Sequence, residues 1–531
     1  MKKFFRRKLL LFALPLIALG TLPACQDDLD VANPNAPTLD VLDTEDGLKR
    51  SMLGVYNVFG NLNYIWLALT HHEIMGDALY VPWGNFGWRW ANQPTSITLD
   101  DGTVVTPPQG GSQGDELRLR NDRAQGDDNA FIHEWSDMYQ INNIGNLLLQ
   151  KLDGGTIQLS GDAEAKAATV AAFAHFWKGF AYSRIGSIYV AGVLTEEFGE
   201  TNPNFVNQSA VIDAANDQFD QAIALLETID NEEVYNSFME AGIPDYMRPN
   251  GVPSPQTLIR TCNTMKARNL LVNTRVAEMT DGQWNEILTL SRAGLQEDDT
   301  DFLIFATADE NAAFGATAWA PYRVLIGWAF PSERLIQDFP EGDQRFDRNF
   351  VELATPNVNM RGRGIQYGTR YGFKSIDEGG DYASVTQGLA TYDIAGSWEE
   401  TSLMAAEALI ETGSVDEGLA LIDKVRAGQN AGLENIADDG LDQDEAYAAL
   451  RSERRVALLL RGLAFYDARR WGILDPVSEG GGRTGAVVLD ASGNVNTNAT
   501  INYNYLSYWG VPDGELDFNP PAAGSASVDP I

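Results

Sequence analysis

Glu453-Arg454-Arg455-Val456-Ala457-Leu458, continued by Arg461-Gly462-Leu463-Ala464-Phe465-Tyr466-Asp467-Ala468-Arg469-Arg470-Trp471-Gly472, is the most specific stretch of this 531-residue chain. Its spacing predicts a helix over Glu453–Trp471 whose Val456, Leu460, Leu463 and Ala464 face a core. The arginines cannot be buried alone, so they are expected to fork onto carboxylates such as Glu453, Asp467 or those of neighbouring helices. This is the chemistry of a scaffold and not of a site.

Helical period spreads outward from there. Val170, Phe173, Ala174, Trp177, Ala181, Ile185 and Ile188 trace one stripe, Val211, Ala215, Ala222, Ile223 and Leu226 another, and Leu48, Met52, Val55 and Tyr56 a third behind Thr44. At 397–428, Ser397-x-x-Glu400 and Ser414-x-x-Glu417 have capping-box spacing and Gly413 sits where the first helix must stop, which predicts an antiparallel hairpin. It has the size of a tetratricopeptide unit, although its residues depart from that consensus. Residues 91–130 are polar and rich in Gly, Asp and Gln, and read as a long surface loop; 350–395 and 475–531 read as irregular segments with a few short strands.

The amino terminus carries an address. Lys2, Lys3, Arg6, Arg7 and Lys8 precede the apolar run Leu9–Gly20 and then Leu22-Pro23-Ala24-Cys25. That order reads as a lipoprotein signal over residues 1–24 with Cys25 as the acylated residue. The apolar run, about 12 residues, falls short of the roughly 20 that span a bilayer. Residues 25–40, with Asn33-Pro34-Asn35-Ala36-Pro37, read as an extended lipidated tether, followed by one domain from 41 to 531.

The charge is −36, from 38 Lys+Arg against 74 Asp+Glu. Such acidity opposes a phosphate backbone, so nucleic acid is not expected as a partner. Two cysteines, one of them Cys25, leave Cys262 without an intramolecular disulfide partner. No cofactor or metal site is expected: adjacent His71 and His72 point about 100° apart on a helix, and the acidic run Asp438–Asp444 lacks the glycine offset and closing glutamate of a calcium loop. Asp438–Asp444 reads as a solvated helix start. No Gly-x-Ser-x-Gly, P-loop or His-Glu-x-x-His motif occurs, and a catalytic carboxylate pair cannot be picked from so many acids, so an enzyme is not expected.

The Glu453–Gly472 stretch resembles the signature of SusD/RagB nutrient-uptake lipoproteins. Weaker similarities follow the family's order: Trp135-x3-Tyr139-x2-Asn142, the Phe173–Tyr189 helix, the Trp398–Arg426 hairpin and the closing Val511-Pro512-x2-Glu515-x3-Asn519-Pro520. Arg461-Gly462 departs from the usual Glu-Gly, and the tail runs on to Ile531 without the usual closing motif. The resemblance implies a mainly α, SusD-like helical fold in which tetratricopeptide-like helix pairs support a loop-rich binding face. It further implies an outer-membrane lipoprotein, facing the cell exterior and held by its lipid anchor, that captures oligosaccharides for a SusC-like TonB-dependent channel. Peptide capture of the RagB type, a non-binding helical-repeat scaffold and a polysaccharide-cleaving enzyme are the alternatives.

A sugar polymer needs exposed aromatic planes flanked by hydrogen-bonding groups. Residues 76–90 concentrate Tyr80, Trp83, Phe86, Trp88 and Trp90 in a segment broken by glycine and proline. If extended, Phe86, Trp88 and Trp90 share one face, with Asn85 and Arg89 on the other. The expected ligand-binding residues are Trp83, Asn85, Phe86, Trp88 and Trp90, with Trp319, Tyr322 and Arg323 as a second group; a core strand or a loop plug is the competing reading of the first. Trp328 reads as core, and the aromatic cluster Asn502–Trp509 as packing.

Overall fold

The structure is a computed structural model describing residues 42–59, 67–82, 85–108, 111–155, 157–245, 248, 250–300, 303–305, 327–358, 364–365, 367–383 and 391–531. The signal, Cys25, the tether, Trp83, Trp319, Tyr322 and Arg323 lie outside these residues.

Helices dominate, and their starts are written in the chain. Thr44 accepts the Gly47 N–H at 3.0 Å to open Glu45–Tyr56; Asp162, Asn207, Asn231 and Ser254 cap Ala163–Ile188, Gln208–Leu226, Glu232–Gly242 and Pro255–Val272 in the same way. Each stripe predicted from the sequence is buried, apart from the half-buried Ile223. Ala163–Ile188 packs between Ile132–Asp153 and Gln208–Leu226, and Asp281–Arg292 packs on the Trp398–Glu411 and Val415–Gly428 hairpin. This is the mainly α architecture of paired helices.

Two expected capping boxes resolve differently. Ser397 accepts the Glu400 N–H at 3.3 Å, but the Glu400 carboxylate turns away to take Arg268 Nε at 2.6 Å and Nη2 at 2.5 Å. A buried guanidinium outweighs a backbone N–H as its partner. Ser414 makes no side-chain cap, whereas reciprocal boxes form at Thr280/Gln283 and at Asp442/Glu445, the latter at the acidic run read as a helix start.

Glu453–Trp471 is not one helix. Gln443–Ala457 ends, the chain turns with φ of +65° at Leu460 and +69° at Gly462, and Ala464–Arg470 follows. The arginine chemistry explains why. Thirteen residues along a straight helix would separate Arg454 from Asp467 by about 20 Å; the turn lets Arg454 Nε and Nη2 each reach Asp467 at 3.0 Å. Arg470 donates to Asp467 at 2.7 Å and to both Glu407 oxygens at 2.5 and 2.7 Å. Glu453 accepts from Arg345 at 2.6 and 3.1 Å and from Arg426 at 2.9 Å. The departure at Arg461 is met by an ion pair with Asp393.

The turn also reaches a buried carboxyl elsewhere in the chain. Gly462 N–H donates to Glu73 at 2.8 Å. Burial pushes the Glu73 carboxyl up to about 7, against the pull of the Gly462 and Leu460 N–H groups. An unfolded glutamate ionises near 4.5, so the folded chain holds the extra proton between about 4.5 and 7, and stability falls as pH rises through that window. Glu73→Gln should therefore match the wild type in urea denaturation at pH 5 and exceed it by about 1–3 kcal/mol at pH 8. Equal stabilities at pH 8 would disprove it.

Residues 91–130 are not a plain loop. They hold strands Ser96–Thr98 and Val104–Val105, helix Gln113–Arg120 and the 3-10 turn Arg123–Asp128. The strands form because Val495–Asn502 supplies their partner, giving an antiparallel four-stranded sheet ordered Arg483–Leu489, Val495–Asn502, Ser96–Thr98, Val104–Val105. Tyr503, Tyr505 and Trp509 are buried, the packing role read from the sequence. Among the described residues no helix is long and apolar enough to cross a membrane.

Candidate functional site

Leu79–Tyr80 pairs antiparallel with Phe330–Pro331, Tyr80 opposite Phe330. Phe86, six residues after Tyr80, lies beside Trp328, two residues before Phe330, with ring centroids 6.4 Å apart and planes tilted by 37°. Phe86 is half-buried and Trp328 is 37% exposed. The pair lies at the surface, with Asn85 and Arg89, both half-buried, on the same short segment.

The chain does not continue as the expected strand. Phe86 and Gly87 take φ of +57° and +75°, and Trp88–Ala91 is a short helix. Gly87 N–H donates to Asp128 Oδ1 at 3.3 Å. The helix turns Trp88 and Trp90 inward, 0% and 2% exposed, so neither offers a plane to a ligand. Both are corrected here to packing residues. Trp88 meets Phe86 edge to face at 5.5 Å, and the guanidiniums of Arg89 and Arg120 lie 3.8 and 3.6 Å from the Trp90 ring. Arg120 also pairs with Glu116. Tyr367, in ring contact with Tyr80 at 6.2 Å, donates to Asn92 Oδ1 at 2.6 Å. The buried Trp88 thus backs Phe86.

Trp328 reads as core in the sequence but is 37% exposed. It sits in the turn that leads into Phe330–Pro331, with the fully buried Ala329 next to it. The histidines serve the interior. His71 Nδ1 lies 2.7 Å from the Leu67 carbonyl and burial lowers its pKa to about 3, while His72 Nε2 lies 2.8 Å from Glu134, itself held at 2.5 Å by Arg184. Burial would raise the Glu134 carboxyl, but Arg184 and His72 hold it down at about 2.

Residues 399–521 match the SusD family model. Over that stretch the chain is similar to the SusD family. No curated protein matches it. Among solved structures, it is similar to a SusD-like protein from Bacteroides fragilis at 16% identity and a TM-score of 0.58, covering 91% of this chain and 98% of that one. A structure with xylogluco-oligosaccharide matches at 14% identity and 0.56, over 91% and 99% of the two chains. The surface glycan-binding protein A from Bacteroides thetaiotaomicron matches at 13% and 0.56, over 90% and 98%. At these identities the likenesses show the fold, a scaffold of paired helices.

Proposed function

We propose that this chain is a SusD-family cell-surface lipoprotein that binds glycans, captures oligosaccharides and hands them to a SusC-like TonB-dependent channel, anchored through Cys25 after removal of residues 1–24. The single observation that carries the reading is the Phe86–Trp328 pair: two aromatic rings at the surface, Phe86 backed by the buried Trp88, with Asn85 and Arg89 on the same short segment. Aromatic planes favour the C–H faces of sugar rings, and the flanking donors suit hydroxyls. Trp83, Trp319, Tyr322 and Arg323 are proposed as further contacts of the same face. The solved relatives with a bound xylogluco-oligosaccharide and a glycan-binding name support the ligand class. No catalytic step is proposed.

Calorimetric titration of the chain with malto-, xylo-, manno- and xylogluco-oligosaccharides tests this. Trp328→Ala should weaken binding by roughly 30-fold or more, in the range of an aromatic hot spot of about 2 kcal/mol or above, with thermal stability unchanged because the side chain is partly solvated. Binding unaltered by that substitution overturns the site, and heats from peptides alone would move the chain to peptide capture. Trp88 and Trp90 are unsuitable probes, since truncating either empties the core.

A further inference from the structure

Among the described residues, one other large aromatic is more exposed than Trp328: Phe518, at 76%. It stands at the mouth of a cleft of about 500 Å³ between the Ile132–Asp153 helix, the 193–202 loop and the Asp513–Phe518 helix. The volume is that of a small-molecule site.

The walls are built rather than incidental. Tyr139 O–H donates to the Val193 carbonyl at 3.1 Å and accepts the Val193 N–H at 2.7 Å. Glu515 accepts from Trp135 Nε1 at 3.4 Å and from Asn519 Nδ2 at 3.0 Å, and Asn519 Nδ2 also donates to the Asn202 carbonyl at 2.9 Å. Gln140, Asn143 and Thr201 add amide and hydroxyl groups to the lining, Asn143 Oδ1 accepting the Gly199 N–H at 2.7 Å. The lining holds two carboxylates, Glu200 and Glu515, and no lysine or arginine, which disfavours an anionic ligand and suits a neutral polyhydroxylated one.

The cleft and the Phe86–Trp328 pair are joined through one turn. Arg123, at the start of Arg123–Asp128, lies 4.9 Å over the Phe518 ring and pairs with Asp517 at 3.2 Å. Asp128, at its end, accepts the Gly87 N–H beside Phe86. Arg123 and Asp128 are five residues apart, a stretch that even fully extended reaches no more than about 18 Å, and it bends at Gly126 (φ +55°), so the two aromatic stations lie a few sugar rings apart.

We propose that the Phe518 cleft is a second subsite for the same neutral glycan chain, so that the two stations bind one long oligosaccharide across the Arg123–Asp128 turn. This rests on the glycan reading above. It makes Phe518 a length sensor: a chain long enough to touch both stations gains the second contact as an intramolecular event.

The test titrates the full chain with neutral xylogluco-, malto- and xylo-oligosaccharides of about two and about eight sugar units. The wild type should prefer the longer members by at least ~10-fold. Phe518→Ala should erase that preference while leaving the short-chain Kd and the melting temperature unchanged, and Asn143→Ala should reduce it. Trp328→Ala should weaken both lengths. A long-chain preference that survives Phe518→Ala, or its absence in the wild type, overturns the second subsite and leaves the first standing. A wild type silent to every glycan overturns both.

Discussion

Asp77→Asn will cost the fold about 3–5 kcal/mol, the penalty for stripping a buried charge of its partner. Asp77 is 1% exposed and accepts from Arg334 Nε and Nη2 at 2.8 and 2.7 Å, with Tyr503 O–H donating at 3.2 Å and the Arg483 guanidinium forming an ion pair at 3.6 Å. Burial works against its charged form, yet Arg334, then Arg483 and Arg455, hold the carboxyl below the usual range. An amide keeps the shape but offers one acceptor where two are used, and turns an N–H₂ group toward a guanidinium. Arg334, itself 2% exposed, is then buried without its counter-charge. Urea denaturation at neutral pH checks this; a loss under 1 kcal/mol would mean the carbonyls of Gly76, Asp77 and Val487, which accept from Arg455 and Arg334, suffice for the cluster. Because the carboxyl pKa is lowered on folding, the wild-type advantage should be full above the unfolded value and shrink as pH falls through it.

Gly76→Ala should be comparably damaging for a steric reason. A Cβ there would overlap the carbonyl carbon and oxygen and the Cβ of Ala464. The neighbour is backbone, pinned at the start of Ala464–Arg470, so it cannot swing aside. The Gly76 carbonyl moreover accepts from Arg455 at 2.7 Å, so any shift breaks that bond too. We expect a loss of about 3 kcal/mol or more, or no soluble chain. A fully stable Gly76→Ala variant, measured by thermal unfolding, would show that the two segments can separate without cost.

Both variants strike places where legibility from sequence was uneven. The helices were readable because period acts within a few residues: Thr44, Leu48, Met52, Val55 and Tyr56 announce their helix unaided, whereas the box at Ser397 did not close because Glu400 is taken by the distant Arg268. The break inside Glu453–Trp471 was not, since Arg454–Leu460 is good helix sequence throughout. Only distant partners, Asp393, Glu407 and Glu73, make the turn worthwhile, and they decide that Leu460 takes a left-handed backbone. The site shows the same division. Composition located a dense aromatic segment, but which ring faces solvent depended on packing brought from far along the chain. Trp90 is capped by Arg120, thirty residues on, while Trp328 is carried to Phe86 by a two-residue ribbon no local pattern reveals.

The ties between the two ends of the chain have a consequence for the order of assembly. Val495–Asn502 is the inner partner of Ser96–Thr98, Tyr503 closes on Asp77, and Trp509 N–H donates to the Ile188 carbonyl at 2.7 Å. Each contact spans several hundred residues, so these ring closures are slow steps. During synthesis the first four hundred residues can form helix pairs but cannot complete the sheet, the Asp77 cluster or the support beneath Trp509. The last fifty residues thus act as a latch: the chain stays open until its carboxyl end arrives, then closes over a core already half built.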